Sequence, residues 1–127
     1  MRFALTVLLF AAVAPAAAMP ICGEGRRVTC VVDGDTFWLN REKIRLVGID
    51  APEVSHPRCA LEARLGRAAT QRLAQLLTGE IRLTRTGTDP FGRTLASVTA
   101  AGHDVGRQLV DEALARPWPG HKVEWCS

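Results

Sequence analysis

The chain has 127 residues, with 16 Lys and Arg against 13 Asp and Glu, for a net charge of +3. That length fits one domain rather than several, and so mild a charge selects no acidic partner by itself. Fourteen arginines against two lysines carry more information. A guanidinium fork matches phosphate or carboxylate oxygens in pairs, although GC-rich coding gives the same bias without function.

The chain opens on Arg2, the apolar run FALTVLLFAAVAPAAA and the small-residue pattern Ala16-x-Ala18. These are the three parts of a secretory signal peptide over residues 1–18. An uncleaved anchor is the alternative, but the apolar stretch is short and alanine-rich for a membrane span. Cleavage after Ala18 leaves residues 19–127 as a single domain. The protein is then expected outside the cytoplasm, in the periplasm or the extracellular medium, with no stable membrane association and as a monomer.

Cys22, Cys30, Cys59 and Cys126 all follow that point. An even number in a short exported chain reads as two disulfides, each worth about 2–4 kcal/mol in a domain this small. Of three pairings, Cys22 with Cys30 and Cys59 with Cys126 are favoured. The first closes a short loop, and the second ties the tail to the middle. A four-thiolate zinc site is the competitor, but CxxC-type pairs are missing.

Two strand-like runs come next, VTCVVDGDTFWL (28–39) and KIRLVGI (43–49), parted by the turn NRE. Both are rich in β-branched and aromatic residues, and the DG step marks a bend or break in the first. APEVSHP then stops the strand and leads into the clearest helix, RCALEARLGRAATQRLAQLL (58–77). Its expected apolar stripe is Leu61, Leu65, Ala68, Ala69, Leu73 and Leu76, interrupted by Arg72. Gly79 is placed as its stop. EIRLTRTG (80–87) and RTLASVTA (93–100) read as strands, joined by TDPFG with turn-forming Asp89, Pro90 and Gly92. DVGRQLVDEALAR (104–116) reads as a shorter helix ending before Pro117 and Pro119. The tail GHKVEWCS is too short for an element of consequence. Strands, long helix, strands and short helix favour a small barrel plugged by a helix over βαβ repetition.

The chemistry concentrates in VVDGDTFWLNREKIRLVGIDAPE (31–53). Pairing through the turn near Arg41 brings Asp35 and Asp50 to one sheet edge, where two carboxylates repel unless a cation joins them. An arginine, a metal ion or water is a candidate partner. Calcium suits the acids, since it takes six to eight oxygens in loose geometry. Asp35, Asp50 and the Ala51 carbonyl supply part of that shell, leaving room for water and a phosphate. Glu53, past Pro52, is either turn filler or a group that takes a proton from water. Asp33 reads as support. Arg45, in an apolar strand, and Arg93, after the PFG turn, are either solvated or a clamp for a phosphoryl group. Competing sites are weak: Ser55 and His56 are adjacent, His103 and His121 lack ligand spacing, and Walker or dinucleotide motifs are missing.

VVDGDTF, IRLVGIDAPE and DPFGRTLA together resemble the staphylococcal nuclease-like, or thermonuclease, family, in order from about Val28 to Ala115. The resemblance implies a mainly β fold with α, an OB-fold five-stranded barrel with one long and one short helix, here stabilised by disulfides. It also implies calcium-dependent cleavage of DNA and RNA with 3′-phosphate products. Residue by residue, it gives Asp35, Asp50 and the Ala51 carbonyl as calcium ligands, Glu53 as the water-activating residue, and Arg45 and Arg93 as phosphate ligands. Pro90 and Phe91 depart from a lysine and a tyrosine in the best-known member. Trp118 is placed to stack on a base or to pack at the rim. The sequence stops short of that member's third helix, and the disulfides are expected to supply the stability it gives. A flexible or frayed strand is the expected substrate, and a non-catalytic OB-fold module binding nucleic acid or another anion is the alternative.

Overall fold

A computed structural model of the chain describes residues 1, 3–14 and 17–127. Arg2 and Ala16, two residues of the leader pattern, lie outside the described residues. Residues 3–14 form no regular element, and Phe3, Leu5, Leu9 and Phe10 are exposed. No helix among the described residues is long and apolar enough to cross a membrane. Packing begins at Met19, which is buried and donates its N–H to the Ala74 carbonyl at 3.0 Å.

The run 28–39 is two strands, β1 (Cys30–Asp33) and β2 (Thr36–Leu39), folded back on each other at Gly34–Asp35. β2 pairs antiparallel with β3 (Glu42–Leu46), with Leu39 opposite Glu42. Asn40 and Arg41 therefore form a two-residue turn. Their φ values of 49° and 70° are those such hairpins demand, so the expected NRE turn is present. KIRLVGI does not run through as one strand. It breaks at Val47–Gly48 and resumes as β4 (Ile49–Asp50), which turns Asp50 away from the β3 ladder.

Helix α1 (Ala60–Leu76) follows, then β5 (Ile81–Thr88) and β6 (Thr94–Ala100), an antiparallel hairpin around the expected TDPFG turn. β6 also runs parallel to β3, with Arg45 opposite Leu95, which brings the hairpin beside the acidic segment. β7 (His103–Asp104) pairs with β6, α2 (Val105–Asp111) follows, and β8 (Arg116–Pro117) pairs with β4. The main sheet has the order β1-β2-β3-β6-β5 with β7 on β6. The fold is thus mainly β with two helices. The ladders form an open path, so they do not show the closed five-stranded barrel that was expected. Phe37, Ile44, Leu46, Leu73, Val98 and Leu109 are fully buried between sheet and helices.

Two helix expectations are corrected. The buried face of α1 is Glu62, Gly66, Ala69, Thr70, Leu73 and Ala74, while Leu61 and Ala68 are exposed. Small residues win the inner face because the chain around Glu53 and the Gly34 turn approach the helix closely. A Cβ on Gly34 would sit 2.6 Å from the Ala69 Cβ and 2.8 Å from the Ala51 Cβ, and one on Gly66 would sit 2.6 Å from the Glu53 carbonyl oxygen. Helix α2 stops at Asp111 rather than Arg116. Ala113 takes φ 60° and the Leu114 and Ala115 N–H groups both donate back to Leu109, so the chain turns there to place Arg116 in β8.

Both favoured disulfides are present, Cys22–Cys30 and Cys59–Cys126, with Cα separations of 4.9 and 6.0 Å. The second spans 67 residues and fixes the tail to the start of α1.

Candidate active site

Asp35 is set by the tight turn between β1 and β2. The Asp33 carboxylate accepts the Asp35 N–H at 3.2 Å, closing an Asx turn over Gly34, and the Asp35 carbonyl accepts the Leu46 N–H at 2.8 Å. Asp33 is thus the support its place in the motif suggests. Burial, then the charge of Asp35, push the Asp33 carboxyl up to about 8. The buried Asp35 carboxylate accepts from the Thr36 hydroxyl at 2.9 Å and from the Ala51 N–H at 2.9 Å. That last bond brings Ala51, and with it the end of β4, against the first turn.

Asp50 is 1 % exposed. Burial raises its pKa, opposed by the Val123 N–H donating to its Oδ2 at 3.0 Å and by the charge of Lys122. Arg45 stands between the two acids. Its Nη2 lies 3.4 Å from the Asp35 Oδ2 and 3.5 Å from the Asp50 Oδ1, and its Nη1 donates to the Leu46 and Ile49 carbonyls. Arginine, one of the partners considered for these acids, does face both of them. Lys122 adds a second cation, bonded to Glu53 and 3.9 Å from Asp50. Burial draws the Lys122 ammonium down, but Glu53, Asp50 and Asp35 outweigh it and its pKa is raised.

Arg93 lies across the cleft. The Asp89 carboxylate accepts the Phe91 and Arg93 N–H groups at 2.9 and 3.0 Å and the Arg93 Nε at 2.6 Å. Burial raises the Asp89 pKa, but these bonds, led by the Arg93 N–H, outweigh it and hold the carboxyl below its ordinary value. A cleft of about 310 Å³ contains Arg45 and Arg93 together with Phe91, Leu95 and Trp118 in its walls. The Arg45 guanidinium is 5.8 Å from the Trp118 ring centre and that of Arg93 is 5.5 Å from the Phe91 ring centre. Glu53 opens on a second hollow of about 370 Å³, with His56, Arg58, Glu62, Lys122 and Val123. Arg45 thus links the acid pair Asp35 and Asp50, with Ala51 bonded to Asp35, to the cleft that holds Arg93, and Lys122 links Asp50 to Glu53 and the second hollow.

Among the described residues no three His, Cys, Asp or Glu side chains converge as a ready metal cage. The two buried carboxylates that share Arg45 are hard oxygen donors, and their need for positive charge fits a hard divalent cation better than zinc or copper. That set is partial, and Lys122 competes for it.

Sequence reasoning missed three contributors. The tail, expected to be too short for an element, forms none, but it delivers Lys122 and the Val123 N–H to Asp50. The expected Cys59–Cys126 bond was the signal that could have found them. Glu62, in the first turn of α1, is buried and holds the backbone of the loop that carries Glu53. Cys59-x-x-Glu62 has capping-box spacing, with the Cys59 sulfur accepting the Glu62 N–H at 3.4 Å. Ser55, His56, His103 and His121 are exposed.

Comparison with known proteins gives a consistent picture. The family model described as staphylococcal nuclease homologue matches residues 43–122, which include Arg45, Asp50, Ala51, Glu53 and Arg93 but not Asp35. The chain is 36% identical over 101 residues to the thermonuclease of Staphylococcus intermedius, covering 74% of this chain and 60% of that protein. It is 31% identical over 97 residues to the thermonuclease of Staphylococcus hyicus, covering 71% and 57% respectively. It is also 33% identical over 106 residues to the succinoglycan biosynthesis protein ExoI of Rhizobium meliloti (strain 1021), covering 78% and 53%. The chain thus spans between 53% and 60% of the length of these relatives.

Proposed function

The chain belongs to the staphylococcal nuclease family, and from that premise we propose that it is an exported, calcium-dependent phosphodiesterase acting on DNA and, as a second substrate, RNA. The observation that carries this reading is the pair of buried acids, Asp35 and Asp50, sharing Arg45, which also lines the cleft that holds Arg93, while Lys122 links Asp50 to Glu53.

Asp35, Asp50 and the Ala51 carbonyl would hold calcium, which supplies positive charge to a phosphoryl oxygen. Glu53 takes the proton of the attacking water. Arg45 and Arg93 neutralise the charge that develops on the outer phosphoryl oxygens. Cleavage of the bond to the 5′ oxygen leaves 3′-phosphate ends. Phe91 and Trp118 offer rings on which a splayed base can stack, which favours single-stranded or frayed substrate. The sheet corresponds to a closed OB-fold barrel in this reading. Residues 1–18 are the signal peptide, residues 19–127 the nuclease domain, and the protein acts as a monomer in the periplasm or outside the cell.

The alternative is a non-catalytic OB-fold module that binds nucleic acid or another anion. What favours it is that Asp35, Asp50 and Glu53 already have cationic partners in Arg45 and Lys122. Digestion of single-stranded DNA with calcium, then with a chelator, separates the two readings. Calcium-dependent cleavage is expected, and its absence would sink the enzyme. Glu53→Gln should lose about 10²–10⁴-fold in rate with calcium binding retained in calorimetry. Equal rates on duplex and denatured DNA would remove the single-strand preference.

A further inference from the structure

We infer that Glu62 is a positioning residue for Glu53, acting through the backbone of residues 53–58; this rests on the reading of Glu53 as the water-activating group. Glu62 is 4 % exposed, an unusual place for a carboxylate. One oxygen accepts the Arg58 N–H at 2.8 Å, and the other accepts the Glu53 N–H at 3.3 Å. The two bonds tie both ends of the loop to a single buried side chain. Helix capping accounts for only part of this. A capping-box acid reaches back to the residue at the cap, here Cys59, whereas Glu62 reaches past it to Arg58 and on to Glu53.

The helix is shaped for the same contact one turn later. Gly66 lies against the Glu53 backbone so closely that a Cβ would come within 2.6 Å of its carbonyl oxygen. Glu62 therefore bonds the Glu53 N–H while Gly66 admits its carbonyl, and α1 fixes the peptide groups on both sides of that residue. The Glu53 side chain is left to face Lys122 and the hollow. A base must sit within hydrogen-bond reach of its water, and a displacement of about 1 Å costs about 10²-fold in rate.

The test compares Glu62→Ala and Glu62→Gln in the wild-type and Glu53→Gln backgrounds. Steady-state cleavage of single-stranded DNA, calcium titration calorimetry and amide exchange at Glu53 and Arg58 are the readouts. In Glu62→Ala, kcat should fall about 10–100-fold, with calcium affinity within about twofold and both amides losing protection. Glu62→Gln keeps the side-chain shape but only one acceptor oxygen, so its loss should be intermediate; it also keeps the test decisive if the alanine variant does not fold. In the Glu53→Gln background either change should cost less than about twofold, because residues acting as one unit do not add. Equal losses in both backgrounds, protected amides in Glu62→Ala, or full activity in both Glu62 variants would overturn the positioning role alone. A wild type without calcium-dependent cleavage overturns the nuclease reading, and the role of Glu62 with it.

Discussion

The two sides of the site are held in opposite ways. Arg93 is placed by its own hairpin: Asp89, four residues away, binds both its N–H and its Nε. The acidic side is assembled from distant parts. Asp35 meets Ala51, Asp50 meets Val123, and Glu53 meets Lys122, across 16, 73 and 69 residues of chain. A hairpin can form its site as soon as it folds, whereas the acidic side exists only once the whole domain has closed. Stability and metal binding should therefore be coupled on that side and nearly independent on the other.

The largest expected break in this contrast is Arg45→Met. It leaves two buried carboxylates short of their shared cation and should cost about 3–5 kcal/mol in the presence of chelator. Saturating calcium should restore much of that loss. Arg93→Met, on the local side, should cost less, about 1–3 kcal/mol, because Asp89 keeps the Phe91 and Arg93 N–H bonds, and show no calcium rescue. Chemical denaturation with and without calcium checks both, and equal losses would erase the distinction.

Removing the Cys59–Cys126 bond by Cys59→Ser with Cys126→Ser should cost about 2–5 kcal/mol. Amide exchange should show the Val123 N–H losing protection before the Arg93 N–H. Loss of both together would mean that the two sides open as one unit. Lys122→Met tests the acidic side alone. Removing a cation that must leave the carboxylates should tighten calcium about tenfold by calorimetry, while Lys122→Arg should leave it near the wild-type value.

In pH dependence, Glu42 of β3 and Asp33 beside the acidic centre slope in opposite directions. Bonds from Arg85 and Thr94 hold the Glu42 carboxyl down to about 2, against an ordinary 4.5. That stabilisation is complete above the ordinary value and is lost as pH falls toward 2. Asp33 is raised from 3.8 to about 8 by burial and by Asp35. The folded state then holds a proton the unfolded chain has released, so stability in chelator falls as pH rises across that window. Thermal midpoints against pH should lose the acid-side slope in Glu42→Gln and the neutral-side slope in Asp33→Asn.

The same division decides how much was legible in the sequence. Features written in neighbouring residues were readable: the Asn40–Arg41 turn, the DPFG hairpin, the DGD motif and the rise of acids beside Arg45. The cysteine count also led to both disulfides. What required one segment to approach another was not readable. Periodicity places Ala69 and Leu73 inward, as they are, but it also aims Leu61 and Ala68 inward, where Glu62, Gly66 and Thr70 take the face instead. Lys122, Val123 and Glu62 carry no local sign of the carboxylates or amides they meet. Nor does the sequence show that Ala113 leaves the helix so that Arg116 can pair with Asp50 across β8 and β4.

Trp118 gives the molecule an optical handle. The chain has three tryptophans and no tyrosine, so its near-ultraviolet emission is almost wholly indole. Trp125 is 4 % exposed, and Trp38 is partly covered in the sheet, while Trp118 is 43 % exposed at the rim of the arginine cleft. A polar quencher should therefore reach one emitter before the other two. An oligonucleotide that enters the cleft should screen that same emitter, so occupancy becomes visible without a label and without turnover.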